Sequence, residues 1–236
     1  MTKHILYFLS LLLLSNAQAA VIGDISRMQV SDPKAPAFRV FGQIENFCTG
    51  TMISPRLVLT AAHCVFDLET RTWMLAKNFN SAYGPVEIEK IHVNSAFLQG
   101  DYGQDIAVLV LKEPLGLKTG WLSLAWDLQG LAPRNSPLGG VESSGSITGF
   151  PGDKAHNSLW VVVCNFYVPH LVPYRPQYTC DTFGGMSGSA LIIGDAQGKS
   201  LIFGVHTQGN GKFNSGISLT GPNKTFLQQI LLSYPL

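Results

Sequence analysis

The apolar residues of this chain come in short runs, and that shortness narrows its fold more than any other feature. Phe38–Ile44, Cys48–Ile53, Leu57–Thr60, Val86–Val93, Ile106–Leu111, Ser144–Phe150, Leu159–Cys164, Ala190–Ile193, Leu201–His206 and Gly216–Leu219 each hold four to eight residues. Gly, Pro and Asn punctuate the gaps, drawn from 24 Gly and 13 Pro in the chain. Runs this short are strands, which must pair laterally to bury a face. Val86-Glu87-Ile88-Glu89 alternates apolar with polar, and the phase slips at Lys90, which predicts a bulge. Helical spacing is nearly absent until the end, where Pro222-Asn223 reads as a helix start and Phe226, Leu227, Ile230 and Leu231 recur at helical intervals. The pattern predicts an all-β sandwich or barrel fold. Gly116–Gly140, rich in Leu, Gly and Pro without a period, reads as a crossover between two halves. Asn223-Lys224-Thr225 fits a glycosylation acceptor, which would matter only in a eukaryotic source.

Charge narrows the function. Only 13% of the residues are charged, with 16 Lys+Arg against 15 Asp+Glu, so nothing would neutralise a row of phosphates and a nucleic-acid partner is not expected. Hydrophobic residues make up 46%, which argues against a disordered chain. Residues 1–19 read as a secretory signal: Lys3 and His4, an apolar run Ile5–Leu14 broken only by Ser10, and the small-x-small site Ala17-Gln18-Ala19. The run is well short of the ~20 residues a membrane span needs, so no membrane association is expected once the signal is removed. Export makes Cys48, Cys64, Cys164 and Cys180 more consistent with two disulfides than with a metal site, and no C-x-x-C pair is present. Three pairings are open, of which the local one (48–64, 164–180) is the simplest.

Three segments carry chemistry together: Leu59-Thr60-Ala61-Ala62-His63-Cys64, Gln104-Asp105-Ile106-Ala107-Val108-Leu109, and Asp181-Thr182-Phe183-Gly184-Gly185-Met186-Ser187-Gly188-Ser189-Ala190. Singly, each has a bland reading as a loop or turn. Jointly, in the order His, Asp, Ser, they supply a nucleophile, a base and a group to orient the base. A serine hydroxyl needs a base within reach, and His63 titrates near neutral pH. A buried Asp105 would hold the His63 tautomer and stabilise its imidazolium. An α/β-hydrolase elbow would need Gly-x-Ser-x-Gly and the order Ser, Asp, His. Position 189 is Ser and the order is reversed. No His-Glu-x-x-His appears for a metallohydrolase, and no nucleotide or flavin signature is present, so no metal or cofactor is expected.

On these motifs the chain resembles the chymotrypsin-like serine peptidases, and more closely their glutamyl-endopeptidase branch. Thr60-Ala61-Ala62-His63-Cys64 is similar to that family's histidine motif, Asp105–Leu109 to its aspartate motif and Gly185-Met186-Ser187-Gly188-Ser189 to its serine motif. Gly149-Phe150-Pro151-Gly152-Asp153-Lys154, followed by Leu159-Trp160, resembles a segment of the glutamyl branch. The resemblance implies two six-stranded antiparallel β-barrels with a C-terminal helix. One barrel would span residues 20–120 with His63 and Asp105, the other residues 121–236 with Ser187. It implies that Cys48 pairs with Cys64, and that the N–H groups of Gly185 and Ser187 bind the oxyanion. Met186 stands where digestive members carry an aspartate for their activated amino terminus, so that mode of activation is not expected. Val21-Ile22-Gly23 resembles a mature amino terminus of the branch, which helps neutralise an acidic substrate side chain. Gly204-Val205-His206 and Thr182 resemble its pocket residues. The implied function is a secreted or periplasmic, monomeric serine endopeptidase that cuts peptides after Glu, less strongly after Asp. The alternative is a non-catalytic or very narrowly selective, toxin-like binding protein on the same fold.

Overall fold

A computed structural model describes residues 27–127, 134–136, 140–169 and 175–235. The first half folds through six strands, β1 (Phe41–Ile44), β2 (Cys48–Met52), β3 (Leu57–Thr60), β4 (Asn78–Ser81), β5 (Gly84–Val93) and β6 (Ala107–Leu111). They close into an antiparallel barrel in the order β1-β2-β3-β6-β5-β4, with β4 returning to β1. The second half uses β7 (Gly140–Gly149), β8 (Trp160–Pro169), β9 (Gln177–Tyr178), β10 (Ala190–Gly194), β11 (Ser200–Gly209) and β12 (Asn214–Ser218). Their order is β7-β8-β9-β12-β11-β10, closing from β10 back to β7. The two barrels therefore share one strand order, although no repeat is visible in the sequence.

The expected runs map onto these strands with small shifts of boundary. The bulge is present: β5 pairs with β6 at Ile88↔Leu111 and resumes at Lys90↔Val110, so Glu89 is the extra residue. Two strands escape a hydrophobic pattern. β4 reads Asn-Phe-Asn-Ser, with Phe79 alone fully buried, and β9 has only two residues. Both are strands because their partners are, with Phe79 opposite Ile44 and Val86, and Tyr178 opposite Phe166.

Alternation sorts the side chains of the second barrel. Leu191, Ile193 and Phe203 fill its interior with Ile147, Val162 and Phe166, while Ile192, Ile202 and Val205 join a core continuous with the first barrel. The seam between the barrels is thus apolar and packed. In the crossover, Gly116–Thr119 forms one helical turn and Ser123–Leu124 pairs in parallel with Leu201–Ile202. Residues 128–133 and 137–139 of that stretch lie outside the described residues, as do the expected signal and Val21.

The C-terminal helix spans Pro222–Ser233, starting at the expected proline. Leu227 and Ile230 sink into the core that contains the first barrel, and Tyr234 Oη lies 3.0 Å from His92 Nε2. Asn223 corrects an expectation. It is fully buried, and its Nδ2 donates to Ser218 O (3.1 Å) and Gly103 O (3.3 Å), so its amide is not accessible to a glycan. Among the described residues no helix is long and apolar enough to cross a membrane. Because the helix ties the second barrel back onto the first, Leu227→Ala should lower the free energy of unfolding by about 2–5 kcal/mol, measured by urea denaturation.

Candidate active site

The site begins with two neighbouring strands. β3 and β6 pair with Thr60 opposite Ala107, so the chain leaves β3 and enters β6 at the same end of the barrel. A 3-10 turn over Ala62–Cys64 follows β3, and another over Tyr102–Gln104 precedes β6. His63 and Asp105 are brought together by that shared end. The backbone N–H of His63 donates to Asp105 Oδ1 (2.9 Å), and His63 Nδ1 lies 2.7 Å from Asp105 Oδ2. An ionised carboxylate only accepts, so Nδ1 carries the proton and Nε2 holds the lone pair of the neutral ring. Burial works against a charge on His63, but the charge and hydrogen bond of Asp105 outweigh it and hold the imidazole above its ordinary value. Asp105, only 5% exposed, is braced from behind. Asn94 Nδ2 donates to Gln104 Oε1 (2.8 Å), and Asn223 of the C-terminal helix reaches Gly103 O.

Ser187 sits on a turn of the second barrel that is pinned to the first. Thr49, on β2, donates its N–H to Ser187 O (2.8 Å) and its Oγ1 to Gly185 O (2.9 Å), while Phe150 N donates to the same Oγ1 (3.1 Å). Gly188 N donates to His206 O (2.9 Å). Gly188 has φ +84°, and a Cβ there would overlap Thr49 O and Thr60 Oγ1 and lie 3.2 Å from Ala61 N. Only glycine fits, and its absent side chain lets the serine turn close onto the segment leading to His63. Disulfide Cys48–Cys64 (Cα–Cα 6.0 Å) ties the residue before Thr49 to the residue after His63. Cys164–Cys180 (5.5 Å) closes the base of the segment that leads to the serine. Both are the local pairings.

Gly185 has φ +97°, and a Cβ there would strike Phe150 O. Met186 N donates to Phe183 O and Ser189 N to Met186 O, both at 3.0 Å. Among the described residues, the N–H groups of Gly185 and Ser187 meet no protein acceptor, as donors reserved for a ligand would. Met186 is fully buried.

His206 and Thr182, distant in sequence, are both completely buried. His206 Nδ1 lies 2.5 Å from Tyr178 Oη, whereas among the described residues its Nε2 and Thr182 Oγ1 meet no side-chain or backbone hydrogen-bond partner within normal geometry. Burial pushes the His206 imidazole down to about 3, with the neighbouring His63 adding to the effect and a hydrogen bond to the Ser215 backbone and the Asp105 charge opposing it, so the ring is neutral. Sequence reasoning missed Tyr178 and Thr49, neither of which belongs to a motif. Cys48, His63 and Cys64 place possible ligand atoms within 4.8 Å of one another, but the two sulfurs are bonded to each other, leaving one imidazole.

Comparison with known proteins agrees with this geometry. The Trypsin family profile matches residues 25–217. The glutamyl endopeptidase of Bacillus licheniformis is 28% identical over 219 residues, covering 85% of this chain and 66% of that protein. The extracellular metalloprotease of Bacillus subtilis is 25% identical over 218 residues, covering 86% of this chain and 66% of that protein. The chain thus spans 66% of the length of each of these relatives. The solved structure of a Glu endopeptidase superposes with a TM-score of 0.76 at 27% identity, over 89% of this chain and 99% of that one. A thermostable serine protease from an extremophilic microorganism shares the fold at a TM-score of 0.62 and 18% identity, over 82% of this chain and 95% of that one. With its two six-stranded barrels, its joined His63 and Asp105 and a profile match over most of its length, the chain belongs to the trypsin family, and among the relatives it is similar to is a glutamyl endopeptidase.

Proposed function

We propose that the protein is an exported, monomeric serine endopeptidase that hydrolyses peptide bonds on the carboxyl side of Glu, and less readily Asp. Residues 1–19 serve as its signal, and barrels within 20–120 and 121–236 carry the two halves of the site. Ser187 Oγ attacks the scissile carbonyl while His63 Nε2 takes its proton. Asp105, still ionised, stabilises the imidazolium. The developing oxyanion is received by the N–H groups of Gly185 and Ser187. His63 returns the proton to the leaving amine, an acyl-enzyme remains, and water activated by the same imidazole releases it.

The observation that carries the substrate reading is the pair of buried, unpartnered polar atoms, His206 Nε2 and Thr182 Oγ1. A buried polar group without a partner costs about 1–3 kcal/mol, so two of them, one on the serine loop and one on the strand residue whose carbonyl takes the Gly188 N–H, favour a ligand that satisfies both. In the tautomer in which Tyr178 Oη donates to Nδ1, His206 presents Nε2–H to a ligand. Two neutral donors in a desolvated pocket suit a carboxylate. Once Ala20 is removed as well, Val21 supplies further compensating charge as the mature amino terminus.

Three outcomes test this reading. Matched peptides with Glu, Gln or Lys on the acyl side should be cut in that order of kcat/KM, and equal rates would refute the preference while leaving the peptidase intact. Ser187→Ala should abolish cleavage and labelling by a serine-directed phosphonate while thermal unfolding stays nearly unchanged; cleavage that persisted would remove Ser187 from its role. The acid limb of the kcat/KM profile should report His63. Activity requires the neutral ring, so the rate falls as pH drops through a value above the ordinary 6.5. In Asp105→Asn only the burial effect remains, so the inflection should move below 6.5 while the rate drops by about 10⁴.

A further inference from the structure

A buried cation lies outside the site described so far. Arg27 has a side chain only 3% exposed, and its guanidinium touches two loops far from it in sequence. Its Nη1 and Nη2 donate to Asp153 Oδ1 and Oδ2, both at 2.7 Å, and its Nε donates to Asp181 Oδ2 at 3.0 Å. Its Cζ stands 5.9 Å from the ring centroid of Phe183. The chain that follows is docked on the second barrel, with Met28 opposite Val161, Gln29 opposite Trp160, and Val30 N donating to Leu159 O (2.9 Å). One side chain thus joins the N-terminal segment, the loop after β7 and the loop leading to Ser187.

Those two loops decide which way a peptide plane faces. Gly152 N donates to Gly184 O at 2.7 Å. In a trans peptide the carbonyl and the next N–H point in opposite directions, so holding Gly184 O toward Gly152 turns the Gly185 N–H away from that loop. Gly184 has no side chain to resist rotation of this plane, and open space surrounds its Cβ position. Gly152 is held in turn by its neighbour Asp153. Burial works against the charge on Asp153, but the Arg27 hydrogen bonds and charge outweigh it and keep the carboxyl below its ordinary value. Met186 offers no charge to anchor the turn from within.

We infer that Arg27 is a positioning residue: it clamps Asp153 and Asp181 together so that the Gly184–Gly185 peptide presents the Gly185 N–H to the oxyanion, and it makes that orientation depend on the docked N-terminal segment. A buried ion pair adds little net stability, because desolvation offsets the attraction, whereas a bidentate fork fixes geometry. The inference rests on the proposed role of Ser187 and Gly185 in acyl transfer, but its structural half can be read without turnover.

The experiment uses the mature protein with Arg27→Ala and Arg27→Lys; the lysine keeps a charge but cannot span two carboxylates. Hydrogen exchange at the Gly152 amide should be slow in the wild type and markedly faster in both variants. Per Ser187 site titrated with phosphonate, kcat should fall roughly 100-fold in Arg27→Ala with KM little changed, since a displaced donor acts in the transition state. Ethylguanidine should restore part of that kcat in the alanine variant. Unchanged Gly152 exchange, or kcat per titrated site within about twofold of wild type, overturns the clamp. If Arg27→Ala does not fold, the lysine variant decides by the same readings. A wild type that takes no phosphonate defeats the peptidase reading instead, and Gly152 exchange then still judges the clamp.

Discussion

Thr49 is where the two halves of this molecule become one site. Its amide and its hydroxyl both bind the serine turn, through Ser187 O and Gly185 O, and its hydroxyl also takes the Phe150 N–H. Since Thr49 follows Cys48 on a barrel strand, any shift of the second barrel against the first would break several hydrogen bonds at once. The apolar seam between the barrels supplies the adhesion and this polar junction supplies the register. Glycine at 188 is a condition of that junction, because a side chain there would fill the space that Thr49 and Thr60 occupy.

Around the junction, electrostatics divides two histidines that lie close enough to influence each other. His63 keeps partial access to solvent and a carboxylate at its Nδ1, which raises its basicity toward the working range of a general base. His206 is sealed in and has a phenol rather than a carboxylate at its Nδ1, so it stays neutral and can act only as a hydrogen-bond donor or acceptor. The same ring thus serves two purposes, separated by one oxygen partner. The phenol of Tyr178 is itself driven upward by burial, which keeps it protonated and able to donate.

Much of this was legible in one dimension. The short runs marked most of the strands, the phase slip at Lys90 marked a real bulge, and Pro222 marked the start of the helix. The strand β4 escaped because Phe79 is its only apolar residue, and a lone residue has no period. Tyr178 and Arg27 escaped for another reason. Each matters through a partner 28 residues away, for Tyr178 and His206, or 126 and 154 away, for Arg27 with Asp153 and Asp181. No local pattern encodes such a pairing. Asn223 shows the converse: its triplet matched a modification motif, yet its side chain is spent on packing the helix against the turn that carries Asp105.

Residue types and spacings by themselves determined that the chain would be built of strands, and that an imidazole, a carboxylate and an alcohol sat in motifs suited to acyl transfer. They also limited the cysteines to a few pairings. Only the closed barrels decided which atoms face one another, because strand pairing carries His63 and Asp105 to the same end of neighbouring strands. Packing across the seam then set the serine turn against Thr49 and the segment that leads to His63. Burial completed the result, since removing water is what leaves His206 Nε2 and Thr182 Oγ1, among the described residues, as buried polar atoms without a close partner.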